Sequence, residues 1–211
     1  MKYKGIVFDL DGVICSTDEY HYLAWKALAD RLHIPFDRKR NDLLRGVSRM
    51  DSLAIILEKS DKAYTREERL TFAEEKNALY RQFLSQMTPE DLAEDVRYTL
   101  DTLRASGVKL AIGSSSKNTP FILDQLGLSS FFDAVADGNC ITHSKPHPEV
   151  FLKAAEMLGL SPTECLVIED AHAGIEAGTA GGFDCAAIGD AKEDPRAAWR
   201  LEKLSDLLKL G

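Results

Sequence analysis

The chain has 211 residues, of which 45% are hydrophobic and 28% charged, a composition that supports a sizeable core and excludes a disordered or fibrous protein. Its 26 Lys and Arg against 34 Asp and Glu give a formal net charge of −8, which disfavours non-specific binding to nucleic acid. The first apolar run is too short for a signal peptide, and no later run approaches the roughly 18 apolar residues of a membrane span. We therefore expect a cytoplasmic monomer without nucleic-acid or membrane partners.

Short apolar runs alternate with helical segments along most of the chain. The runs 5–8, 108–112, 166–168 and 185–188 are predicted to be buried parallel strands. Helices are predicted over 89–106, 118–126, 148–158 and 171–180, and several of them precede glycines that suit helix C-caps. This alternation predicts an α/β fold with a doubly wound, Rossmann-like parallel sheet.

One long segment interrupts the alternation. Residues 16–88 are rich in charge and helical in pattern, without a convincing strand, and we interpret them as an inserted all-helical cap domain. The catalytic core would then consist of residues 1–15 and 89–211, joined to the cap by short linkers near Cys15 and Pro89.

Two helices of this segment have clear sequence signals. In the first, His21, Trp25 and Leu28 share one helical stripe with Leu32. The second is predicted over 65–87, with a Thr-x-x-Glu capping box at its start.

The four cysteines, Cys15, Cys140, Cys165 and Cys185, stand apart from one another. They form no CxxC pair and none of the spacings of a disulfide framework or a zinc site. We expect them to be small residues in or near the core of a protein from a reducing compartment.

Acidic side chains follow two of the predicted strands. Asp9 and Asp11 come directly after the first strand, and Glu169 and Asp170 follow the run 166–168. Ligands of open α/β sheets bind at the carboxyl ends of the strands, where clustered carboxylates require a compensating cation. Hard oxygen donors without His or Cys favour Mg²⁺. Each pair alone has a structural alternative, an Asx turn for the first and a helix cap for the second.

Two further polar positions have the chemistry of phosphate ligands. Ser114 lies in a hydroxyl-rich turn that leads into a helix, whose N-terminus can receive a phosphate. Lys145 lies in a loop stiffened by two prolines, where its ammonium could be held toward phosphate oxygens. Taken alone, the serine is also compatible with an ordinary turn or N-cap, and the lysine with a solvated side chain.

Taken together in chain order, the acidic pairs and the two phosphate-ligand candidates are Asp9-Leu10-Asp11-Gly12, Ser114, Lys145 and Glu169-Asp170. It resembles the four signature motifs of the haloacid dehalogenase superfamily of phosphoryl-transfer enzymes. The resemblance implies that Asp9 is a nucleophile that forms an aspartyl phosphate, and that Asp11 is the general acid and base. It also implies that Ser114 and Lys145 steady the transferring phosphoryl group.

The same resemblance implies a Mg²⁺ cofactor held by Asp9, the Asp11 carbonyl, Glu169 and Asp170. A noncatalytic phosphate-binding or Mg²⁺-dependent switch module, which uses similar acidic strand ends, is a hypothesis from another functional class. It predicts that Asp9→Asn spares function and that no phosphate is turned over. A dinucleotide-binding protein is disfavoured because no GxGxxG motif follows the first strand.

The cap narrows the resemblance to the β-phosphoglucomutase family. Matching stretches are Asp18-Glu19-Tyr20-His21 with Trp25, Arg45 to Arg49 with Asp51-Ser52, and Ser114 to Asn118 in the core. The substrate-binding residues that this resemblance implies, with Lys76 as a further cap contact, are His21, Trp25, Arg45, Gly46, Val47, Ser48, Arg49, Ser52, Lys76, Ser115, Ser116, Lys117 and Asn118. Arg49 would grip the nontransferring phosphate, and His21 would couple cap closure to Asp11.

The implied activity is that of an isomerase of carbohydrate metabolism. It would interconvert β-D-glucose 1-phosphate and glucose 6-phosphate through an aspartyl-phosphate enzyme and β-glucose 1,6-bisphosphate, with sugar phosphates as its small-molecule partners. The alternative within the superfamily is a Mg²⁺-dependent sugar-phosphate or phosphoglycolate-type phosphatase. Two departures from the family pattern, Arg45 in place of a lysine and Ser16 in place of an aspartate, lie near the sugar site or the hinge.

Overall fold

A computed structural model describes residues 2–44 and 47–210. The strands are β1 (Gly5–Phe8), β2 (Lys109–Gly113), β3 (Ala134–Ala136), β4 (Cys165–Glu169), β5 (Asp184–Ala187) and β6 (Trp199–Arg200). They form one parallel sheet in the order β3-β2-β1-β4-β5-β6. This is the doubly wound α/β fold that the alternation of strands and helices predicts.

Eight α-helices accompany these strands within the described ranges: α1 (Asp18–Arg31), α2 (Arg38–Asp42), α3 (Arg49–Leu57), α4 (Arg66–Leu84), α5 (Glu94–Ala105), α6 (Thr119–Gln125), α7 (Glu149–Leu158) and α8 (His172–Ala180). Short 3-10 helices lie at Pro89–Asp91, Pro162–Glu164, Gly189–Glu193 and Leu204–Lys209. Over the part of the chain that is described, no helix combines the length and apolar character needed to cross a membrane.

The four predicted strands correspond to β1, β2, β4 and β5. All four residues of β1 are buried, as are all five of β4, because these central strands have a neighbour on each side and layers of side chains on both faces. The sequence pattern does not predict β3 or β6. These outer strands have only three and two residues, too few for a run of apolar residues to stand out from the surrounding loops.

Two predicted helices differ from the structure at their ends. The segment predicted over 89–106 is a 3-10 turn, Pro89–Asp91, followed by α5, because Leu92 adopts an extended backbone that breaks the helix. The helix predicted over 65–87 begins after its N-cap Thr65, as expected, but ends at Leu84. The capping box with Glu68 is present.

The buried apolar side chains form three clusters. Two of them enclose the sheet from its opposite faces, one with Ile6 and Phe8 and the other with Val7. A third cluster lies within the helices α1 to α4 and contains Trp25 and Leu28. We propose that residues 16–88 form a cap domain with a small core of its own, inserted into a catalytic core of residues 1–15 and 89–211.

The cap helices also contact the core directly. Tyr80 and Leu84, in the second half of α4, pack into the larger sheet cluster, and Asn118 after β2 accepts a hydrogen bond from Arg81 of α4. Helix α4 therefore links the cap cluster to the region above the carboxyl ends of the strands.

The described cysteines carry free thiols. Cys15, Cys165 and Cys185 are buried and Cys140 is half-buried, as expected for small residues in or near the core.

Candidate active site

Three neighbouring strands bring the predicted polar residues to one edge of the sheet. Asp9 follows β1, Ser114 follows β2 and Glu169 ends β4. The Asp9 amide donates to the carbonyl of Ile168 at 2.9 Å, and the Ser114 amide donates to the carbonyl of Ala136 at 3.1 Å. Because β1 lies between β2 and β4, residues far apart in the sequence meet at adjacent strand ends.

Three carboxylates and one ammonium form the centre of this edge. Asp9, Glu169 and Asp170 each place a carboxylate oxygen within 4.8 Å of the others. The Lys145 Nζ contacts Asp9 Oδ1 and lies 2.5 Å from Glu169 Oε1. Burial alone would lower the pKa of Lys145, but the two carboxylates outweigh it and raise that pKa above its usual value. Lys145 is therefore a fixed cation beside Asp9.

The charge at this edge favours a further cation. One ammonium faces three carboxylates, and burial together with Asp9 and Glu169 raises the pKa of Asp170 to about 8. Burial also raises the pKa of Glu169, although Lys145 opposes this effect. A dication would stabilise the ionised carboxylates, and a donor set made only of oxygen suits Mg²⁺. The residues present therefore fit the cofactor that the sequence analysis predicts.

Two glycines make room for these carboxylates. A Cβ on Gly12 would lie 2.0 Å from Asp170 Oδ2, and a Cβ on Gly174 would lie 1.9 Å from the Glu169 carboxyl carbon. Gly12 also has φ +82°, in the left-handed region that side chains rarely adopt. The last residue of the first motif is thus needed both for its backbone conformation and for the position of Asp170.

We expect Gly12→Ala to abolish Mg²⁺ binding, because the added methyl group displaces the Asp170 carboxylate. The matched control is Gly107→Ala, which has nearly the same φ of +81° and no atom within 4 Å of the added Cβ. Both variants should lose roughly 1–2 kcal/mol of stability through backbone strain. Calorimetric titration with Mg²⁺ separates them, and equal Mg²⁺ affinity in the two variants would contradict this assignment.

The Asp11 carboxylate lies at the junction between core and cap. Its Oδ1 accepts hydrogen bonds from the Thr17 amide at 2.9 Å and from the Thr17 hydroxyl. The Thr17 hydroxyl also lies 2.7 Å from the Tyr80 hydroxyl on α4. Burial raises the pKa of Asp11 to about 6, against the opposing effect of the Thr17 hydroxyl. Both protonation states of Asp11 are therefore accessible near neutral pH, as a general acid and base requires.

The turn after β2 is held by its own hydroxyl groups. The Ser116 amide donates to Ser114 Oγ at 3.2 Å, and the Asn118 amide donates to Ser116 Oγ at 3.2 Å. The Lys145 amide lies 3.5 Å from Ser115 Oγ, which connects this turn to the lysine loop. Lys117 is exposed. The turn thus lies at the end of β2, the strand beside β1, with its serine hydroxyl groups lining the same edge of the sheet as Asp9.

On the cap side, a basic cluster with the buried Lys76 and the half-buried His21 and Arg49 lines the cavity opposite the strand ends. His21 Nδ1 lies 2.8 Å from Lys76 Nζ, and the ammonium stands over the rings of Trp25 and Tyr80 at 4.6 and 4.5 Å. Burial and the neighbouring Arg49 lower the pKa of Lys76 well below its usual value. Burial, Lys76 and Arg49 likewise lower the pKa of His21. A ligand with negative charge would relieve this electrostatic strain.

The segment before α3 completes the cap side. Arg49 begins α3 and is half-buried, with Val47 and Ser48 beside it and Ser52 one helical turn further on. The predicted contacts Arg45 and Gly46 lie outside the described residues.

A single cavity of about 1110 Å³ joins the two sides. The described residues that the sequence analysis assigned to the site line it: Asp9, Asp11, His21, Trp25, Val47, Ser48, Arg49, Ser52, Lys76, Ser114, Ser115, Ser116, Lys117, Asn118, Lys145, Glu169 and Asp170. The structure thus places the core motifs and the cap residues around one space.

Three residues of this region were missed in the sequence analysis. Thr17 holds Asp11, Tyr80 contacts Thr17 and His21, and Asn77 accepts a hydrogen bond from the Asn118 amide group at 2.9 Å. Tyr80 lies four residues after Lys76 and three after Asn77 on one helix, a usable signal for Tyr80 because residues three and four apart are neighbours on the helix surface. Thr17 has no such signal.

Comparison with known proteins agrees with this geometry. A family model described as haloacid dehalogenase-like hydrolase matches residues 3–182. The chain is 40% identical to a β-phosphoglucomutase of Bacillus subtilis over 206 residues, 97% of this chain and 91% of that protein. It is 31% identical over 185 residues to the fructose-1-phosphate phosphatase YqaB of Escherichia coli, covering 87% and 95% of the two chains.

Among solved structures, a β-phosphoglucomutase from Clostridium difficile superposes with a TM-score of 0.91 at 36% identity, covering 97% of this chain and 93% of that one. The match therefore extends over both the sheet and the cap helices. The chain belongs to the haloacid dehalogenase-like hydrolase family.

Proposed function

We propose that this protein is a β-phosphoglucomutase that interconverts β-D-glucose 1-phosphate and glucose 6-phosphate through a phosphorylated Asp9 and β-glucose 1,6-bisphosphate. The observation that carries the proposal is the shared cavity. It joins the carboxylate and lysine cluster at the strand ends to the basic cap cluster of His21, Arg49 and Lys76. A bisphosphorylated sugar requires anion-binding groups at both ends, and this cavity offers them.

Asp9 is the nucleophile in this proposal. Its carboxylate attacks phosphorus, the bond from phosphorus to the sugar oxygen breaks, and an aspartyl phosphate forms. Lys145 contacts Asp9 directly and offsets negative charge on the transferring group, while the Ser114 hydroxyl would hold a phosphoryl oxygen.

Mg²⁺ would be held by Asp9, Glu169, Asp170 and the Asp11 carbonyl, and when bound it supplies positive charge beside the transferring phosphoryl oxygens. Gly12 and Gly174 keep the space that Asp170 and Glu169 need to reach these positions.

Asp11 transfers the proton of the sugar oxygen. In the protonated form it donates to the leaving oxygen, and as a carboxylate it accepts the proton of the attacking hydroxyl in the second half-reaction. The Asp11 carboxylate accepts a hydrogen bond from Thr17, and Thr17 contacts Tyr80 on α4. The protonation of Asp11 would therefore depend on the position of the cap. The His21 ring, tilted by 30° to that of Tyr80 with the two centroids 4.0 Å apart, belongs to the same group of contacts.

The cap would bind the phosphate that is not being transferred and the sugar ring. Arg49 is suited to the phosphate because its guanidinium donates two parallel hydrogen bonds. Trp25, Ser52 and Lys76 would contact the sugar. On the core side Lys117 and Asn118 would join Ser114 at a phosphate, with Ser115 and Ser116 beside them. Arg45, Gly46, Val47 and Ser48 would complete this binding surface. A closed cap keeps water from the aspartyl phosphate until a sugar hydroxyl attacks.

The decisive experiment is a coupled assay for glucose 6-phosphate, with β-D-glucose 1-phosphate as substrate, a trace of β-glucose 1,6-bisphosphate and Mg²⁺. We expect turnover with the β-anomer and none with the α-anomer. Absence of turnover, together with rapid phosphate release from small phosphate esters, would instead identify a phosphatase.

That phosphatase is the second candidate, because the 31% identity to the fructose-1-phosphate phosphatase covers 95% of the E. coli protein. The lifetime of phosphorylated Asp9 distinguishes the two functions. A mutase must protect the aspartyl phosphate from water when no sugar is bound, whereas a phosphatase hydrolyses it.

Stabilisation by Mg²⁺ should increase with pH. The pKa of Asp170 in the folded metal-free protein is about 8, above that of an unfolded aspartate. The raised pKa means that the folded state binds this proton more tightly, so the metal-free protein loses stability as pH rises toward 8. Mg²⁺ binds the ionised Asp170 carboxylate. Mg²⁺ binding therefore offsets the loss of stability that the metal-free protein shows as pH rises.

Melting temperatures in EDTA and in excess Mg²⁺, measured between about pH 6 and about pH 8.5, test this expectation. The gain from Mg²⁺ should be larger at the higher pH, and each 1 kcal/mol corresponds to roughly 2–4 °C for a chain of this length. In Asp170→Asn the melting temperature in EDTA should vary less with pH. A gain from Mg²⁺ that does not change with pH would contradict the prediction.

A further inference from the structure

The loop that carries Lys145 also carries two histidines and a glutamate that the proposed reaction does not use. His143 and His147 lie two residues to either side of Lys145, and Glu149 begins α7. One donor atom from each of His143, His147 and Glu149 lies within 4.8 Å of the other two. Both imidazoles are exposed and line the cavity, which places the cluster at its mouth.

The glutamate of this cluster is held in place by the backbone of the same loop. Glu149 Oε1 accepts from the Thr142 amide at 3.0 Å, and Oε2 accepts from the His143 amide at 2.8 Å. His143 Nδ1 lies 3.0 Å from Glu149 Oε2. The Glu149 amide lies 3.3 Å from His147 Nδ1, and the two imidazole centroids are 4.6 Å apart. The folded loop thus brings the three donors together before any ligand binds.

The donor set differs in chemistry from the acidic cluster at the strand ends. Two imidazole nitrogens and one carboxylate oxygen suit Zn²⁺ and neighbouring transition-metal dications, whereas Mg²⁺ prefers oxygen donors only. Asp9, Glu169 and Asp170 provide only oxygen. The two clusters should therefore select different ions.

We propose that His143, His147 and Glu149 form a binding site for a Zn²⁺-class transition-metal ion, separate from the Mg²⁺ site. Three protein ligands leave a fourth position of a tetrahedral ion open to water or to an oxygen of a bound phosphate. The ion would bridge the residues before and after Lys145, whose ammonium contacts Asp9. Its binding would restrain the segment that positions the lysine.

The test uses the full chain in excess Mg²⁺, so that the acidic cluster is occupied. Calorimetric titration with Zn²⁺ should show one equivalent bound, and Co²⁺ should give the visible absorption of a low-symmetry site with nitrogen and oxygen donors. His143→Ala and His147→Ala should each raise the Kd for Zn²⁺ by about 100-fold or more, since even the loss of an outer hydrogen-bond partner costs 10-fold to 100-fold.

His33→Asn is the matched control. His33 is an exposed histidine of the cap that does not line the cavity, and asparagine tolerates its φ of 57°. Zn²⁺ affinity should be unchanged in this variant. Glu149→Gln removes the charge and keeps one acceptor oxygen, but its NH2 group faces the second of the two loop amides. We expect it to weaken Zn²⁺ binding and to lower the melting temperature measured in EDTA, so the histidine variants carry the test.

Three results would overturn the proposal. One is the absence of Zn²⁺ binding in excess Mg²⁺, and another is an affinity that neither His143→Ala nor His147→Ala changes. The third is competitive displacement of Zn²⁺ by Mg²⁺, which would place both ions at the acidic cluster.

Discussion

Asp9→Asn is expected to abolish phosphoryl transfer and to reduce kcat by at least about 10⁴-fold, because a carboxamide does not form the acyl phosphate that divides the reaction into two steps. Transfer of labelled phosphate from β-glucose 1,6-bisphosphate to the protein measures the first step, and the coupled assay for glucose 6-phosphate measures the whole reaction. Both signals should disappear in this variant.

Loss of the fold should not account for this result. The Lys145 ammonium keeps its contact with Glu169 Oε1 at 2.5 Å, and the amide has nearly the shape of the carboxylate. Removing the Asp9 charge also removes one cause of the raised pKa of Asp170. We therefore expect a melting temperature at least as high as that of the parent protein in EDTA.

The matched control is Asp124→Asn, at an exposed aspartate of α6 whose carboxylate accepts a hydrogen bond from the nearby Ser129 hydroxyl. It should retain parental turnover. If Asp9→Asn kept more than about a tenth of the activity, or still accepted labelled phosphate, Asp9 would not be the nucleophile. The noncatalytic switch hypothesis instead predicts that the parent protein itself turns over no phosphate.

The second large effect is expected from Arg49→Ala. We expect kcat/KM for β-D-glucose 1-phosphate to fall by about 10²- to 10³-fold, the range that follows from loss of a half-buried charge-assisted contact to phosphate. Hydrolysis of a small ester such as p-nitrophenyl phosphate should change little, because that substrate has no second phosphate for the cap to hold.

A loss of activity toward β-D-glucose 1-phosphate but not toward p-nitrophenyl phosphate distinguishes a role in substrate binding from general damage to the site. Arg69→Ala, at an exposed arginine of α4 that does not line the cavity, is the control and should leave both activities unchanged. Arg49→Lys should recover only part of the loss, because an ammonium does not reproduce the forked geometry. An equal loss for both substrates would show that Arg49 does not act on a distal phosphate.

Much of the sheet was predictable because the central strands have both faces covered. Such strands need continuous apolar runs, and 5–8 and 166–168 are runs of this kind. The outer strands β3 and β6 were not predictable, since their few residues are ordered by pairing with β2 and β5 more than by their own composition.

The candidate site likewise has residues that the sequence predicts and partners that it does not. The acidic pairs, Ser114 and Lys145 are local motifs, and the topology of a parallel sheet brings strand ends together. The partners of these residues are not local. Thr17 binds Asp11 and contacts Tyr80, 63 positions further on, and no periodicity connects the two. Asn118, expected to bind phosphate, also bonds to Asn77 of the cap helix.

The amino-acid sequence by itself determined the class of fold, and it predicts the helical insertion and the chemistry at the strand ends, because these depend on local runs, spacings and residue types. Only the tertiary structure decided which charges share a buried space. The pKa of Asp170 near 8, the lysine over two aromatic rings in the cap and the His143, His147 and Glu149 cluster all follow from such packing. Desolvation and Coulomb interactions depend on burial and distance, and both are set only when distant segments pack together.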